Sequence, residues 1–190
     1  MEEKDIFALL EKTGALLSGH FELRSGLHSD RYFQCANVLA HPRAAEQLCA
    51  ELVRRMKPAL AGAHIDGVIA PALGGIIVGH EVARALDVRS IFAEKADGKL
   101  VMRRFAIKPG ERYVVAEDVI TRGGRVQETI DIVKAAGGII TAVAVLVDRS
   151  AGTVKFGHPT FSLLQMAPET WEPAKCPLCA KGGKPVHPGS

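Results

Sequence analysis

The sequence predicts an open, mostly parallel α/β sheet flanked by helices, and two observations carry that prediction. From residue 65 onwards, short apolar runs alternate with helical segments: IDGVIAP before IIVGHEVARAL, then VRSIFAE, then RYVVAED before a helix from about Gly124 to Ala136, then GGIITAVAVLVDRS. Continuous apolar runs of this length are strands buried on both faces, and strands joined through helices run parallel. The second observation is the pair of glycine-bearing turns, ALGG and TRGG, each set between a strand and the next helix.

The elements follow in order. Ile6, Leu9 and Leu10 recur at helical spacing, so residues 3–13 read as a short helix. Residues 18–41 are rich in Ser, Gly and His, with short alternating pieces at Phe21 and Leu23 and at Tyr32 and Phe33. They predict a hairpin-like, partly exposed segment. Pro42 opens a helix to about Met56, with Leu48, Leu52 and Val53 on one face. The four strands named above come next. Residues 94–110, EKADGKLVMRRFAIKPG, interrupt the alternation with a central Asp-Gly and five Lys or Arg, and read as a mobile hairpin or lid. After Pro168 the chain is rich in Pro, Gly and Lys and has little core-forming pattern. No internal repeat is visible.

Composition narrows the function classes. The 190 residues suffice for one domain with a substantial core. An aromatic share of 5% argues against a nucleic-acid surface of stacked rings, and a net charge of +3 suits small anionic ligands better than nucleic acid. The N-terminal MEEKDIFALLEKTGALL lacks the basic region and long apolar core of a signal peptide, and no apolar run reaches the length of a membrane span. The expected location is the cytoplasm, with neither membrane nor nucleic acid as partner. Cys35 and Cys49 are isolated, and Cys176 and Cys179 form one CxxC with His187 nearby. One CxxC is half of a structural zinc site, so this pair reads as free thiols, with metal or redox use as the alternative. His20, His28 and His80 read as structural or surface histidines.

Ligands of such sheets bind at the carboxyl ends of the strands, which directs attention to the loops after Ala70, Phe92, Glu117 and Val147. The segment EDVITRGGR, residues 117–125, is the most informative. Its glycines let backbone approach a ligand, and the following helix offers free N–H groups and a positive dipole end. Thr121 can add a hydroxyl, and Arg122 and Arg125 can add charge. The segment is neither a Walker loop nor a GxGxxG fingerprint. Glu117 and Asp118 stand immediately before this anion site. Carboxylates accept from sugar hydroxyls, so a ribose carrying a phosphate needs both halves. The alternative is an acid pair that only caps the next helix.

EDVITRGG, preceded by VVA, resembles the phosphoribosyl-pyrophosphate motif of the type I phosphoribosyltransferases. FELRSGLHSDRYF, PALGG, VLVDRS and the CPLC tail are similar to segments of the orotate-using members of that family. The resemblance covers nearly the whole chain. It implies a single phosphoribosyltransferase domain over residues 1–190, with a core over about 42–150, a small hood from 14–41 and 151–190, and a mobile lid over about 94–110. It implies transfer of ribose 5-phosphate from phosphoribosyl pyrophosphate to orotate, giving orotidine 5′-monophosphate and pyrophosphate in pyrimidine biosynthesis. Mg²⁺ is the implied cofactor, bound mainly through phosphoribosyl pyrophosphate, with Asp118 the candidate protein ligand. Lys95, Glu117 and Asp118 are the implied catalytic residues. Phosphoribosyl pyrophosphate would be held by these three with Val119, Ile120, Thr121, Arg122, Gly123, Gly124 and Arg125, and by Ala72, Gly74 and Gly75 at its pyrophosphate. Orotate would be held by Thr121, Arg149 and Arg24. An ion pair with Asp148 is the alternative use of Arg149. The lid departs from the family's usual pattern, with no His and with Glu94 where an Arg is common; Lys99, Arg103 and Arg104 are its weaker candidates. In this family the lid typically reaches a neighbouring subunit, which implies a homodimer. A purine-base phosphoribosyltransferase, or a non-catalytic regulator sensing phosphoribosyl compounds and binding RNA, would share the fold.

Overall fold

The structure, a computed structural model, describes residues 1–23, 25–60 and 62–188. Ile6 and Leu10 form the buried face of α1 (Glu3–Lys12), and the Asp5 carboxylate accepts from the Glu2 amide at its start. β1 (Leu16–Glu22) and β2 (His28–Phe33) then form an antiparallel hairpin. α2 (Cys35–Leu39) leads into α3 (Pro42–Met56), where Pro42 occupies the first turn and its missing N–H costs nothing. β3 (Gly67–Pro71), α4 (Gly74–Leu86), β4 (Arg89–Ala96) and the short β5 (Lys99–Val101) follow. β6 (Arg112–Ile120), α5 (Gly124–Ala135) and β7 (Ile139–Asp148) complete the alternation predicted from sequence. β8 (Thr160–Gln165), β9 (Thr170–Trp171) and α6 (Pro177–Ala180) close the chain.

Among the described residues the strands make two sheets. The larger has the order β5-β4-β3-β6-β7-β8, and its neighbours pair in parallel except for the β4–β5 hairpin. Strand alternation divides β6 between two cores. Val114 and Ala116 join the cluster formed by α3 and α4, whereas Tyr113 and Val115 join Val126, Ile130 and Val133 of α5. Each fully buried branched side chain contributes roughly 1.5–3 kcal/mol. The fold class predicted from the apolar runs is therefore the one found. β3 connects outward to β4 on one side, and β6 connects outward to β7 on the other. The sheet thus reverses direction between β3 and β6, and the crevice at that switch point is where such sheets place ligands.

The smaller sheet, β1-β2-β9, is antiparallel and joins the N-terminal hairpin to the C-terminal segment. Sequence reasoning differs from the structure here in three ways. Residues 18–41 contain the short helix α2 as well as the hairpin. Residues 160–165, grouped with the hood on sequence, pair with β7 at the edge of the large sheet, and the part that pairs with the hairpin is β9 and the tail. β6 extends through Ile120 because Val119 and Ile120 pair with Val147 and Asp148. Glu117 and Asp118 therefore sit within a strand near its end, before the loop begins. No helix among the described residues is long and apolar enough to cross a membrane.

Candidate active site

Two turns frame the switch-point crevice. The first joins β3 to α4 through Ala72 and Leu73, and the Ala72 N–H donates to the Ala93 carbonyl of β4 at 2.8 Å. Its glycines lie against the acids of β6. A Cβ on Gly74 would stand 2.8 Å from Asp118 Oδ2, and one on Gly75 would stand 3.0 Å from Glu117 Oε1. No larger residue fits at either place without displacing a carboxylate. Residues more than 40 positions apart in sequence thus form one surface.

Both carboxylates are anchored by backbone. Glu117 Oε1 accepts from the Asp118 N–H at 3.0 Å, and Asp118 Oδ1 accepts from the Val119 N–H at 2.8 Å. Glu117 is buried, and burial together with the neighbouring Asp118 charge pushes its carboxyl well above the usual range. Burial raises Asp118 as well. The adjacent acids therefore hold a proton more readily than ordinary carboxylates do, and a cationic or hydroxyl-rich ligand would relieve their repulsion.

The second turn is Thr121–Gly124. Gly123 has φ of +75°, and a Cβ there would lie 2.6 Å from Val154 Cγ1 and 2.9 Å from Phe156 Cε1. Both backbone conformation and space require glycine. Gly124, the first residue of α5, faces open space. The first amides of α5 lack intrahelical partners and point towards that space. The turn lines a cavity of about 430 Å³ together with Glu117, Val119, Ile120, Arg125, Val126 and Glu128, and with Gly98 of the β4–β5 hairpin.

The hairpin is docked on its own chain. Glu128 of α5 accepts from the Leu100 N–H at 2.5 Å and pairs with Arg125 at 2.8 Å. Glu94 pairs with Arg104 at 3.1 Å. Lys95, Lys99 and Arg103 are exposed, and none of the three pairs with an acid among the described residues.

Arg149 stands at the carboxyl end of β7, where its N–H donates to the Ile120 carbonyl at 2.8 Å. Its Nε is buried and has no hydrogen-bond partner among the described residues. The guanidinium lies 5.9 Å from the Phe33 ring centroid of β2. The alternative of an Arg149–Asp148 ion pair is not what the structure contains. Asp148 instead accepts from the Ser150 N–H at 2.8 Å, the Ser150 hydroxyl at 2.6 Å and the Gly152 N–H at 3.1 Å. Cys35, buried at the start of α2, points its Sγ at the Asp118 carbonyl 3.8 Å away. Arg24 lies outside the described residues.

The profile of the phosphoribosyl transferase domain matches residues 35–173. An orotate phosphoribosyltransferase of Pelotomaculum thermopropionicum is 52% identical over 191 residues, covering 100% of this chain and 98% of that protein. One of Desulforamulus reducens is 50% identical, again over 100% of this chain and 98% of its own. This chain belongs to the orotate phosphoribosyltransferase family. Among solved structures, the orotate phosphoribosyltransferase of Aeropyrum pernix aligns with a TM-score of 0.68 at 25% identity, over 83% of this chain and 92% of that one. An adenine phosphoribosyltransferase of Rhodothermus marinus aligns with a TM-score of 0.62 at 23% identity, over 84% of this chain and 99% of that one. The architecture is therefore shared across phosphoribosyltransferases for different bases.

For an orotate phosphoribosyltransferase, the residues that sequence reasoning passed over are those acting across distance. Glu128 carries no motif and is recognisable only once the hairpin rests on α5. Val154 and Phe156, which close over Gly123, sit in a polar connection without periodicity. The CxxC also finds unexpected company. Cys176 and Cys179 lie beside His20 and His28, while His187 is exposed and outside that group.

Proposed function

We propose that this orotate phosphoribosyltransferase transfers ribose 5-phosphate from phosphoribosyl pyrophosphate to a ring nitrogen of orotate, and that the switch-point crevice is where it does so. The observation that supports this most directly is the packing of Gly74 and Gly75 against the carboxylates that open onto the phosphate loop. Hydroxyl acceptors, an anion-binding turn and a second glycine turn then face one ligand.

In the reaction the bond between the anomeric carbon and pyrophosphate breaks, a carbon–nitrogen bond to orotate forms, and the ribose ring is cation-like in between. Glu117 and Asp118 bind the 2- and 3-hydroxyls and place negative charge beside that ring. Thr121 to Arg125 hold the 5-phosphate, and Ala72 to Gly75 present backbone amides to pyrophosphate. Lys95 closes on the leaving group, and the hairpin excludes water that would otherwise capture the ring. Arg149 receives the orotate carboxylate: its buried, unpartnered Nε calls for an acceptor, and a carboxylate suits a guanidinium bidentately. Thr121 and Arg24 are the further orotate candidates.

Mg²⁺ fits the donor set here, because Asp118 and Glu117 offer hard oxygens and a hard cation completes its shell with substrate oxygens and water. When bound it neutralises charge on pyrophosphate. The enzyme is further proposed to be a cytoplasmic homodimer with the lid shared between subunits.

The test is a substrate screen with phosphoribosyl pyrophosphate and Mg²⁺ against orotate, uracil, adenine, hypoxanthine and guanine. Turnover with orotate alone is expected. In Arg149→Ala the KM for orotate should rise about 10-fold or more, the loss of a charged hydrogen bond worth roughly 1.5–3 kcal/mol. Turnover of a purine in preference to orotate, or an unchanged KM in Arg149→Ala, would overturn the assignment.

A further inference from the structure

Away from the crevice, four side chains from opposite ends of the chain converge. His20 lies on β1, His28 opens β2, Cys176 caps the start of α6, and Cys179 lies within it. His20 Nε2 is 3.0 Å from His28 Nδ1. Cys176 Sγ is 3.4 Å from His20 Nε2, and Cys179 Sγ is 3.7 Å from the same nitrogen and 3.3 Å from His28 Nδ1. All four atoms fall within 4.8 Å of one another. None of the four residues lines the cavity at the phosphate loop.

Four of the six separations suit a tetrahedron. Zinc bonds of about 2.3 Å to sulfur and about 2.0–2.1 Å to nitrogen place neighbouring ligand atoms roughly 3.3–3.8 Å apart, nitrogen pairs closest. Those four values run from 3.0 to 3.7 Å with the nitrogen pair the shortest of them, and the whole set stays within 4.8 Å. Hydrogen bonding alone serves the group poorly. Thiols are weak donors, and the two ring nitrogens face each other with one proton to share. Cys176 and His28 are 3% and 5% exposed, so water does little to satisfy them. The other nitrogen of His20, Nδ1, is buried without a partner among the described residues, so the polar engagement of this ring is all on the cluster side.

We infer that His20, His28, Cys176 and Cys179 form a structural zinc site that staples the C-terminal tail to the N-terminal hairpin. Four protein ligands leave no open coordination position, which marks a structural site and not a catalytic one. The need for a staple is visible in the small sheet. β9 contributes only two pairs, His28 with Trp171 and Ser29 with Thr170. The tail adds a single bridge, Phe21 with Val186, whose backbone bonds reach His20 and Glu22 at 2.8 and 2.9 Å. A small sheet of this kind has little apolar area with which to hold itself. The cation joins segments about 150 residues apart and so closes a long loop of the unfolded chain.

The experiment measures metal in the full-length protein purified without chelator. About one zinc per chain is expected, along with a fall in Tm on chelation that zinc reverses. Metal-depleted wild-type protein titrated with cobalt(II) should show the visible bands and thiolate charge transfer of a tetrahedral site with two sulfurs. Cys179→Ser and His28→Ala should lose the metal, while His187→Ala should keep it. The inference is overturned if wild-type protein binds neither zinc nor cobalt, or if thiol titration finds Cys176 and Cys179 joined as a disulfide. It also fails if His187→Ala loses the metal while His28→Ala retains it. Because the cobalt spectrum is read on the wild-type chain, a variant that does not fold leaves the test decisive.

Discussion

Glu117 is where the needs of folding and of ligand binding conflict. Its carboxyl lies well above the usual range because burial and Asp118 both disfavour its charge. Below the ordinary glutamate value, the folded and unfolded chains both carry it neutral, and it costs nothing. As pH rises through the raised folded value, the unfolded chain has already ionised, so folding gives up stability. Glu117→Gln should therefore raise the Tm of the ligand-free protein at pH 8 by about 2 °C or more, which for a chain of this length is roughly 1 kcal/mol. The gain should vanish near pH 4. The same variant should lose turnover by about 100-fold or more through its missing charge. Equal Tm values at pH 8 would show that the carboxylate is not strained, and near-normal turnover would reduce the acids to helix caps. The side chain that destabilises the empty enzyme is thus the one proposed to grip its substrate.

At the scale of elements, the β4–β5 hairpin is the part proposed to close over the reacting groups. Its polar docking on α5 runs through Glu128, which holds the Leu100 N–H and Arg125 together, beside apolar packing of Met102 and Phe105 on the same cluster. The Phe92–Phe105 edge-to-face contact, with centroids 5.1 Å apart, steadies its base. Removing Glu128 leaves the core of α5, Val126, Ile130 and Val133, untouched. Glu128→Ala should consequently keep its overall fold and circular dichroism. It should speed limited proteolysis around Asp97 and Gly98 and raise the KM for phosphoribosyl pyrophosphate about 2- to 10-fold. A cleavage rate equal to that of wild type would mean that the hairpin is held by something other than this carboxylate. The partner of Glu94 is Arg104, within the same segment. That ion pair ties the segment to itself.

At the scale of the whole molecule, the hairpin has two crevices within its reach in the proposed homodimer, its own and its neighbour's. In the single chain it rests on its own α5, with Gly98 lining the phosphate-loop cavity. The proposed homodimer places Lys95 in the partner's site. Mixing inactive Lys95→Ala with inactive Asp118→Asn subunits distinguishes the two arrangements. If the lid acts in the partner's site, half of the randomly assorted dimers are mixed and each regains one intact site, so activity should return to about a quarter of wild type. A mixture as inactive as its parents would assign the hairpin to its own chain.

How much of this was legible in the sequence follows from the reach of each interaction. Two features were determined by the sequence alone: the parallel α/β core, because buried strands leave unbroken apolar runs, and the joining of Glu117 and Asp118 to a glycine turn and helix start, because EDVITRGGR is contiguous. Tertiary structure alone decided that Gly74 and Gly75 seat against those acids, and that Asp148 turns to Ser150 and leaves Arg149 Nε without a partner. It also decided that β8, an edge strand with a mixed burial pattern, joins the large sheet. The cysteines show the limit most clearly. Read along the chain, Cys176 and Cys179 are half a site, and His20 and His28, some 150 residues away, read as structural or surface histidines. Side-chain chemistry is written residue by residue, but the neighbours that give it a use are brought there by folding, and such contacts between distant segments leave no periodicity to read.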